Sequence, residues 1–105
     1  MANHFVRAAH TGEIPSGKMK CVRLGGRVIL VANVDGSFYA TDDTCTHEDA
    51  SLSSGSLKGE LVKCPLHNSR FNVCTGEVIE EPARANLKTY PVKIDGPDIL
   101  IAIDK

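Results

Sequence analysis

Apolar residues along this chain come in short aliphatic and β-branched runs, and turn residues end each run. The runs Met19–Leu24 and Arg27–Val34 are separated by Gly25-Gly26, a pair that tolerates the positive φ angles of a tight hairpin turn. Asp35-Gly36 marks a second turn before a short strand over 38–40. Since no stretch sustains the 3.6-residue period of an amphipathic helix, the pattern predicts an all-β protein, an antiparallel sandwich or small barrel.

The rest of the chain divides into a regular and an irregular part. Apolar positions recur over 87–94 and 99–103, and Asp95-Gly96-Pro97-Asp98 between them predicts a hairpin with Pro97 outside the ladder. The segment from about 42 to 82 is rich in Ser, Gly, Thr, Cys and His, and its clear strand candidates are 61–64 and 70–73. Long loop-rich segments in small domains are usually functional, so we expect more than a hydrophobic core to hold this one.

Composition limits the classes of function that remain open. A length of 105 residues fits a single domain, and a net charge of -1 provides no basic field for nucleic acid. The apolar run 28–32 is far too short to cross a membrane, and the N-terminus lacks the apolar stretch of a signal peptide. We therefore expect one domain over 1–105, located in the cytoplasm, with its thiols reduced.

The irregular segment contains two motifs that carry metal chemistry, Cys45-Thr46-His47 and Cys64-Pro65-Leu66-His67. Each motif offers one thiolate and one imidazole, and the four side chains together suit a metal centre. The usual zinc finger runs Cys, Cys, His, His, whereas here the residue types alternate. If the two loops face each other, both thiolates can bind one iron and both imidazoles a second iron of a [2Fe-2S] cluster. Zinc and disulfides remain as alternatives, and a reducing compartment disfavours disulfides.

At these residues the chain resembles the Rieske [2Fe-2S] proteins, in particular the small ferredoxins of bacterial aromatic-ring dioxygenase systems. The resemblance spans nearly the whole chain and is carried by these segments: 13–17, 45–55, 64–67, 71–76 and 82–83. It implies a Rieske fold, in which a cluster-binding subdomain of about 42–82 is inserted into a β base. It also implies one [2Fe-2S] cluster, with Cys45 and Cys64 on the inner iron and His47 and His67 on the outer iron.

The resemblance further implies an electron carrier of aromatic hydrocarbon catabolism, not an enzyme. Such a ferredoxin takes single electrons from an NAD(P)H-dependent flavin reductase and passes them to a terminal oxygenase by transient docking, as a monomer. The sequence agrees, because once His47 and His67 bind the cluster, the histidines that remain, His4 and His10, both lie in a short N-terminal stretch, which leaves no second iron site of the 2-His-1-carboxylate kind. No G-x-G-x-x-G motif for a dinucleotide occurs either. A Rieske-like small subunit of an assimilatory enzyme such as nitrite reductase is the alternative.

Several residues refine this expectation. High-potential relatives donate hydrogen bonds to the cluster from a Ser and a Tyr, whereas this chain has Ser69 and Phe71 at those positions. We therefore expect a reduction potential in the lower part of the Rieske range, roughly -150 to +300 mV. Asn72 stands where relatives often have Asp, with no consequence evident from sequence. Cys21 and Cys74 are expected to be small buried hydrophobic residues.

Gly55, Pro65 and Leu66 flank the ligand motifs. We expect Gly55 and Pro65 to shape the loops, and Leu66 either to shield the cluster or simply to occupy a loop position. His4 and His10 are expected at the surface.

Overall fold

The structure is a computed structural model that describes residues 5–45, 50–66, 69–81 and 85–103. It confirms the all-β prediction. The two short 3₁₀ turns within these ranges are Thr11–Glu13 and Leu52–Ser54, and no helix among the described residues has the length and apolar character needed to span a bilayer. The strands are β1 Phe5–His10, β2 Met19–Leu24, β3 Arg27–Val34, β4 Ser37–Asp42, β5 Ser56–Lys58, β6 Leu61–Lys63, β7 Arg70–Asn72, β8 Val78–Glu80, β9 Thr89–Tyr90, β10 Val92–Asp95 and β11 Asp98–Ala102.

The strands form three antiparallel sheets, in the orders β1-β11-β10, β2-β3-β4-β9 and β5-β6-β7-β8. Two sheets combine strands from both ends of the chain, so the chain termini are built into the same part of the fold. The third sheet consists of consecutive strands between the two ends. The cysteines of both ligand motifs lie beside this third sheet in the chain, Cys45 before it and Cys64 directly after β6.

Two tight turns confirm the predicted hairpins: Gly25-Gly26 joins β2 to β3, and Asp35-Gly36 joins β3 to β4. Gly25 and Gly26 have φ angles of 54° and 81°, and Asp35 and Gly36 have φ angles of 52° and 89°. Positive φ at both central residues gives the turn a twist that matches the flanking strands. These residues therefore fix the register in which Leu24 pairs with Arg27.

The predicted strand over 87–94 is wrong in one respect, because the structure divides it into β9 and β10. Pro91 lies between them and has no N–H to donate to a ladder. At this proline the chain leaves its pairing with β4 and begins to pair with β11. The edge strand β1 and the three-residue strands β5 and β8 were also missing from the sequence prediction, because such short or half-exposed segments carry a weak alternation signal.

Strand β3 separates two hydrophobic cores. Its side chains alternate between them: Ile29 and Val31 pack in one core, with residues of β11, and Leu30 and Ala32 pack in the other, with Cys45 and Cys64. All four of these strand residues are fully buried. Burial on both faces explains why this strand is continuously apolar instead of alternating with polar residues. The strand therefore contributes side chains to both cores, including the one that contains Cys45 and Cys64.

Tyr90 links β9 to the adjacent end of β4. Its side chain is buried, and its hydroxyl donates a hydrogen bond to Asp42 Oδ1. Burial, followed by the hydrogen bond and charge of Asp42, raises the pKa of Tyr90 to about 12. The folded protein therefore retains the phenol proton at a pH where an unfolded tyrosine, with a pKa of about 10, loses it.

This difference predicts a pH-dependent effect of Tyr90→Phe. The stability contributed by the phenol is fully present below about pH 10 and is lost as the pH rises towards about 12. At neutral pH the variant should lose about 1 kcal/mol of unfolding free energy, the usual net contribution of a hydrogen bond. Urea unfolding of both proteins between about pH 8 and pH 11 should show this difference shrinking. A difference that stays constant over this range would contradict the assignment.

Candidate metal centre

The cysteines of the two motifs lie in one buried apolar cluster. Cys45 is 4% exposed and Cys64 is fully buried, and both pack with residues that include Leu30, Val62 and Phe71. No disulfide joins any of the four cysteines, which speaks against the disulfide alternative. The structure therefore brings together the two sulfur donors that the sequence singled out.

Each of these two cysteines closes its loop by the same kind of backbone hydrogen bond. The Cys45 N–H donates to the carbonyl of Ala50 at 2.9 Å, and the Cys64 N–H donates to the carbonyl of Ser69 at 2.8 Å. In both loops the accepting carbonyl belongs to the residue five positions after the cysteine in the chain. The predicted ligands His47 and His67 belong to the enclosed segments, but both lie outside the described residues, as do 46, 48, 49 and 68.

This arrangement fits an iron–sulfur centre. Two buried thiols in an apolar setting are ligands that iron–sulfur clusters and zinc both accept. Within the ranges that the structure describes, no three metal-binding side chains converge, because each loop contributes only its cysteine to those ranges. The geometry thus supports Cys45 and Cys64, the two sulfur donors of the predicted site.

Asp43 is a site residue that the sequence analysis missed. Its side chain is 2% exposed, and its carboxylate accepts hydrogen bonds from Ser51 Oγ and, at 2.9 Å, from the Ser53 N–H. Its backbone N–H donates to Val28 O at 3.0 Å, and its carbonyl accepts from the Leu52 N–H at 2.7 Å. Asp43 therefore binds the turn that follows the first loop to β3. The only signal for this role in the sequence is the position of Asp43, two residues before Cys45. The preceding residue, Asp42, is also an aspartate, so residue type alone does not distinguish the two.

Gly55 shapes the loops as expected, through a close contact with the strand that leads into the second loop. A Cβ at this position would lie 1.9 Å from the carbonyl oxygen of Lys63, the residue before Cys64. The missing side chain therefore allows the turn after the first loop to lie against the strand that leads into the second.

Asn72 organises the turn after β7. Its Oδ1 accepts from the N–H groups of Cys74 and Thr75 at 2.8 and 3.2 Å, and its Nδ2 donates to Glu60 Oε1 at 3.0 Å. An aspartate could accept the first two bonds but could not donate the third. The amide therefore joins this turn to the β5–β6 hairpin, a consequence that the sequence alone did not reveal.

The prediction for the other two cysteines is wrong for Cys21, which is exposed, and holds only in part for Cys74, which is half-buried. Along β2 successive side chains face opposite sides, and the adjacent Val22 occupies the buried side. Lost hydration, followed by the charge of Asp43, raises the pKa of the Cys21 thiol, and burial raises that of Cys74. Raised pKa values favour the neutral thiol over the thiolate at both positions.

Residues of the second loop differ sharply in exposure. Leu66 is 60% exposed, whereas Ser69 and Phe71 are fully buried. Phe71 packs in the same core as Cys45 and Cys64, and its side chain has no polar group that could donate a hydrogen bond.

The two remaining histidines lie far from the motifs in sequence. His10 is exposed, as expected, and its Nδ1 accepts from the Gly12 N–H at 3.0 Å in the cap of the first 3₁₀ turn. His4 lies outside the described residues.

Comparisons with known proteins agree on one family. Residues 4–91 match the family described as Rieske [2Fe-2S] domain. The ferredoxin component of a naphthalene 1,2-dioxygenase system from Pseudomonas aeruginosa is 43% identical over 101 residues, which cover 96% of this chain and 97% of the relative. A ferredoxin of Sphingomonas yanoikuyae B1 superposes with a TM-score of 0.91 at 30% identity, covering 96% of this chain and 100% of that one. A chain in a complex of oxygenase and ferredoxin of carbazole 1,9a-dioxygenase gives a TM-score of 0.89 at 34% identity, covering 96% and 94%.

The contact at Gly55 predicts a large cost for Gly55→Ala. The added methyl group must displace the Lys63 carbonyl, and overpacking of this kind typically costs about 1–3 kcal/mol, occasionally more. Gly59→Ala is the matched control, because a Cβ there meets nothing within 4 Å and its φ of +60° costs roughly 1–2 kcal/mol by itself. Urea unfolding should show the larger loss for Gly55→Ala. Equal or reversed losses would contradict the close approach of the two loops.

Proposed function

The chain belongs to the Rieske [2Fe-2S] domain family, and on that premise we propose that it is the ferredoxin component of a bacterial aromatic-ring dioxygenase system. In this role it carries single electrons from an NAD(P)H-dependent flavin reductase to a terminal oxygenase and catalyses no reaction itself. One observation carries the proposal: a relative named as a ferredoxin component matches this chain along 97% of its own length.

The proposed site consists of Cys45, His47, Cys64 and His67, which hold one [2Fe-2S] cluster. Cys45 and Cys64 hold the inner iron, and His47 and His67 hold the outer iron. The burial of both cysteines in one apolar cluster supports the inner pair. When bound, the cluster supplies one-electron redox chemistry. The chain's own contribution is to exclude water from the two thiolates and to close both ligand loops by the Cys45 and Cys64 N–H groups.

The surface next to the second motif supports docking of partner proteins. Leu66 directly precedes His67 and presents an apolar side chain that is 60% exposed. In the carbazole system a ferredoxin is found in complex with its oxygenase. For this chain we propose transient docking on oxygenase and reductase, with interfaces below about 1,200 Å², by a cytoplasmic monomer. The aromatic substrate is set by the oxygenase, because the carrier does not bind it.

The expected division into a base and an inserted cluster-binding part, about 42–82, is retained in this proposal. It is supported by the third sheet, whose strands are consecutive between Ser56 and Glu80, whereas both other sheets use the two ends of the chain. The low potential also stays a prediction, supported by the apolar Phe71 beside the ligand cysteines. The nitrite reductase alternative is not favoured, because the matching relatives are named as ferredoxin components. Zinc is disfavoured by the family match.

Cysteine variants test the proposed ligands and the carrier function together. Cys45→Ser and Cys64→Ser should lose the visible absorption of the cluster, its bound iron and sulfide, and electron transfer to the oxygenase. Cys74→Ser is the matched control, since its thiol lies in a half-buried turn and has a raised pKa. It should retain all three properties. Stopped-flow mixing of the reduced protein with an oxidised oxygenase of this class measures the electron transfer.

Two outcomes would reject the proposal. If Cys45→Ser and Cys64→Ser keep a wild-type content of iron and sulfide, these cysteines are not the ligands. If the loaded wild-type protein passes no electrons to any oxygenase of this class, the chain is not the proposed carrier.

A further inference from the structure

We infer that Asp43 is a positioning residue for the metal centre, holding the first ligand loop in place through the turn at 50–54. This inference rests on the proposed function for the identity of the centre, but the contacts that carry it involve only described residues. Asp43 is one of four buried polar residues among those that the structure describes, and both oxygens of its carboxylate accept hydrogen bonds from the turn that closes the loop of Cys45.

The hydrogen bonds of Asp43 run in two directions. Towards the base, its backbone N–H donates to Val28 O of β3. Towards the turn, one carboxylate oxygen accepts from Ser51 Oγ, the other accepts from the Ser53 N–H at 2.9 Å, and the carbonyl accepts from the Leu52 N–H at 2.7 Å. Three consecutive residues of the turn are therefore fixed to a single residue that is itself fixed to the central strand.

The turn is joined directly to the ligand loop. Ala50, whose carbonyl accepts the loop-closing hydrogen bond from the Cys45 N–H, precedes Ser51 in the chain. Thr44 and Ser51 also form an antiparallel bridge around this loop. Displacement of the turn would therefore move the acceptor of the Cys45 hydrogen bond. Asp43 fixes both ends of the loop, because it lies two residues before Cys45 and binds the turn that begins at Ser51.

Energetics also indicate a role beyond packing. A buried carboxylate is costly unless its oxygens are satisfied, and an apolar residue of similar size is often at least as stabilising. Here each oxygen is satisfied by a group of the same turn, and the thiol of Cys21 on β2 also contacts Asp43 and Ser53. What the carboxylate provides, and an apolar side chain could not, is a defined position for this turn relative to β2 and β3.

Three variants test the inference. Asp43→Ala removes both acceptors. Asp43→Asn is the conservative variant, because its amide oxygen can accept from the Ser53 N–H and its NH₂ group can donate to Ser51 Oγ. Asn33→Ala is the matched control: Asn33 is also buried, at 7% exposure, but its side chain bonds Ile14 O and the Gly36 N–H, within the base.

Two measurements are made on each loaded protein. The first is the rate at which the visible absorption of the cluster is lost under chelator. The second is amide hydrogen exchange in the segment 50–54. Asp43→Ala should lose the cluster roughly 10-fold faster, as supporting residues of metal sites typically do when removed, and should exchange faster at Leu52 and Ser53. Asp43→Asn should remain close to wild type. Asn33→Ala should have a lowered Tm but wild-type cluster loss and wild-type exchange in this segment.

Three results would overturn the inference: wild-type behaviour of Asp43→Ala, an Asp43→Asn variant as impaired as Asp43→Ala, or equally fast cluster loss in Asn33→Ala. The last result would show that general destabilisation, and not the position of the turn, controls the cluster. Failure of the proposed function is distinguishable. If the proposed cluster is wrong, the wild-type protein holds no iron–sulfur chromophore, and if the carrier role is wrong, the loaded protein passes no electrons to an oxygenase. In both cases exchange at Ser53 still reports whether Asp43 holds the turn.

Discussion

The backbone hydrogen bonds donated by Cys45 and Cys64 to carbonyls five residues ahead are the constraint on which the rest of this structure depends. The proposed cluster needs both loops closed and adjacent, with their sulfur donors out of water. Neighbouring features serve this requirement. Gly55 lacks the side chain that would separate the two loops, and Asp43 fixes the turn that supplies the first carbonyl.

Strand β3 provides the frame for these loops. Ile29 and Val31 pack in one core, and Leu30 and Ala32 pack in the other, so movement of Cys45 and Cys64 relative to β3 would disturb the core that they share with Leu30 and Ala32. Such a frame suits an electron carrier, whose centre must change charge without large rearrangement of the protein around it. The two loops are not buried throughout. Cys45 and Cys64 are buried in the protein, whereas Leu66, in the second loop, faces solvent.

Much of this could be predicted from the sequence, and the remainder has identifiable physical reasons. Tight turns such as Gly25-Gly26 and the paired Cys and His motifs carry strong local signals, so the all-β fold and the grouping of Cys45 with Cys64 were predictable. The role of Asp43 was not, because it depends on contacts with a turn eight to ten residues away. Cys21 was assigned to the wrong side of its strand, since in a short strand the choice of buried face is set by the neighbouring sheet.

The central claim is that two cysteines and two histidines of this chain hold one two-iron cluster that accepts single electrons. Electron paramagnetic resonance of the dithionite-reduced protein, with spins and iron counted against protein, tests it most directly. The claim predicts two irons per chain and one unpaired electron per reduced chain, with a [2Fe-2S] signal that is absent from the oxidised protein. A colourless protein that binds one zinc ion per chain and gives no signal on reduction would contradict it.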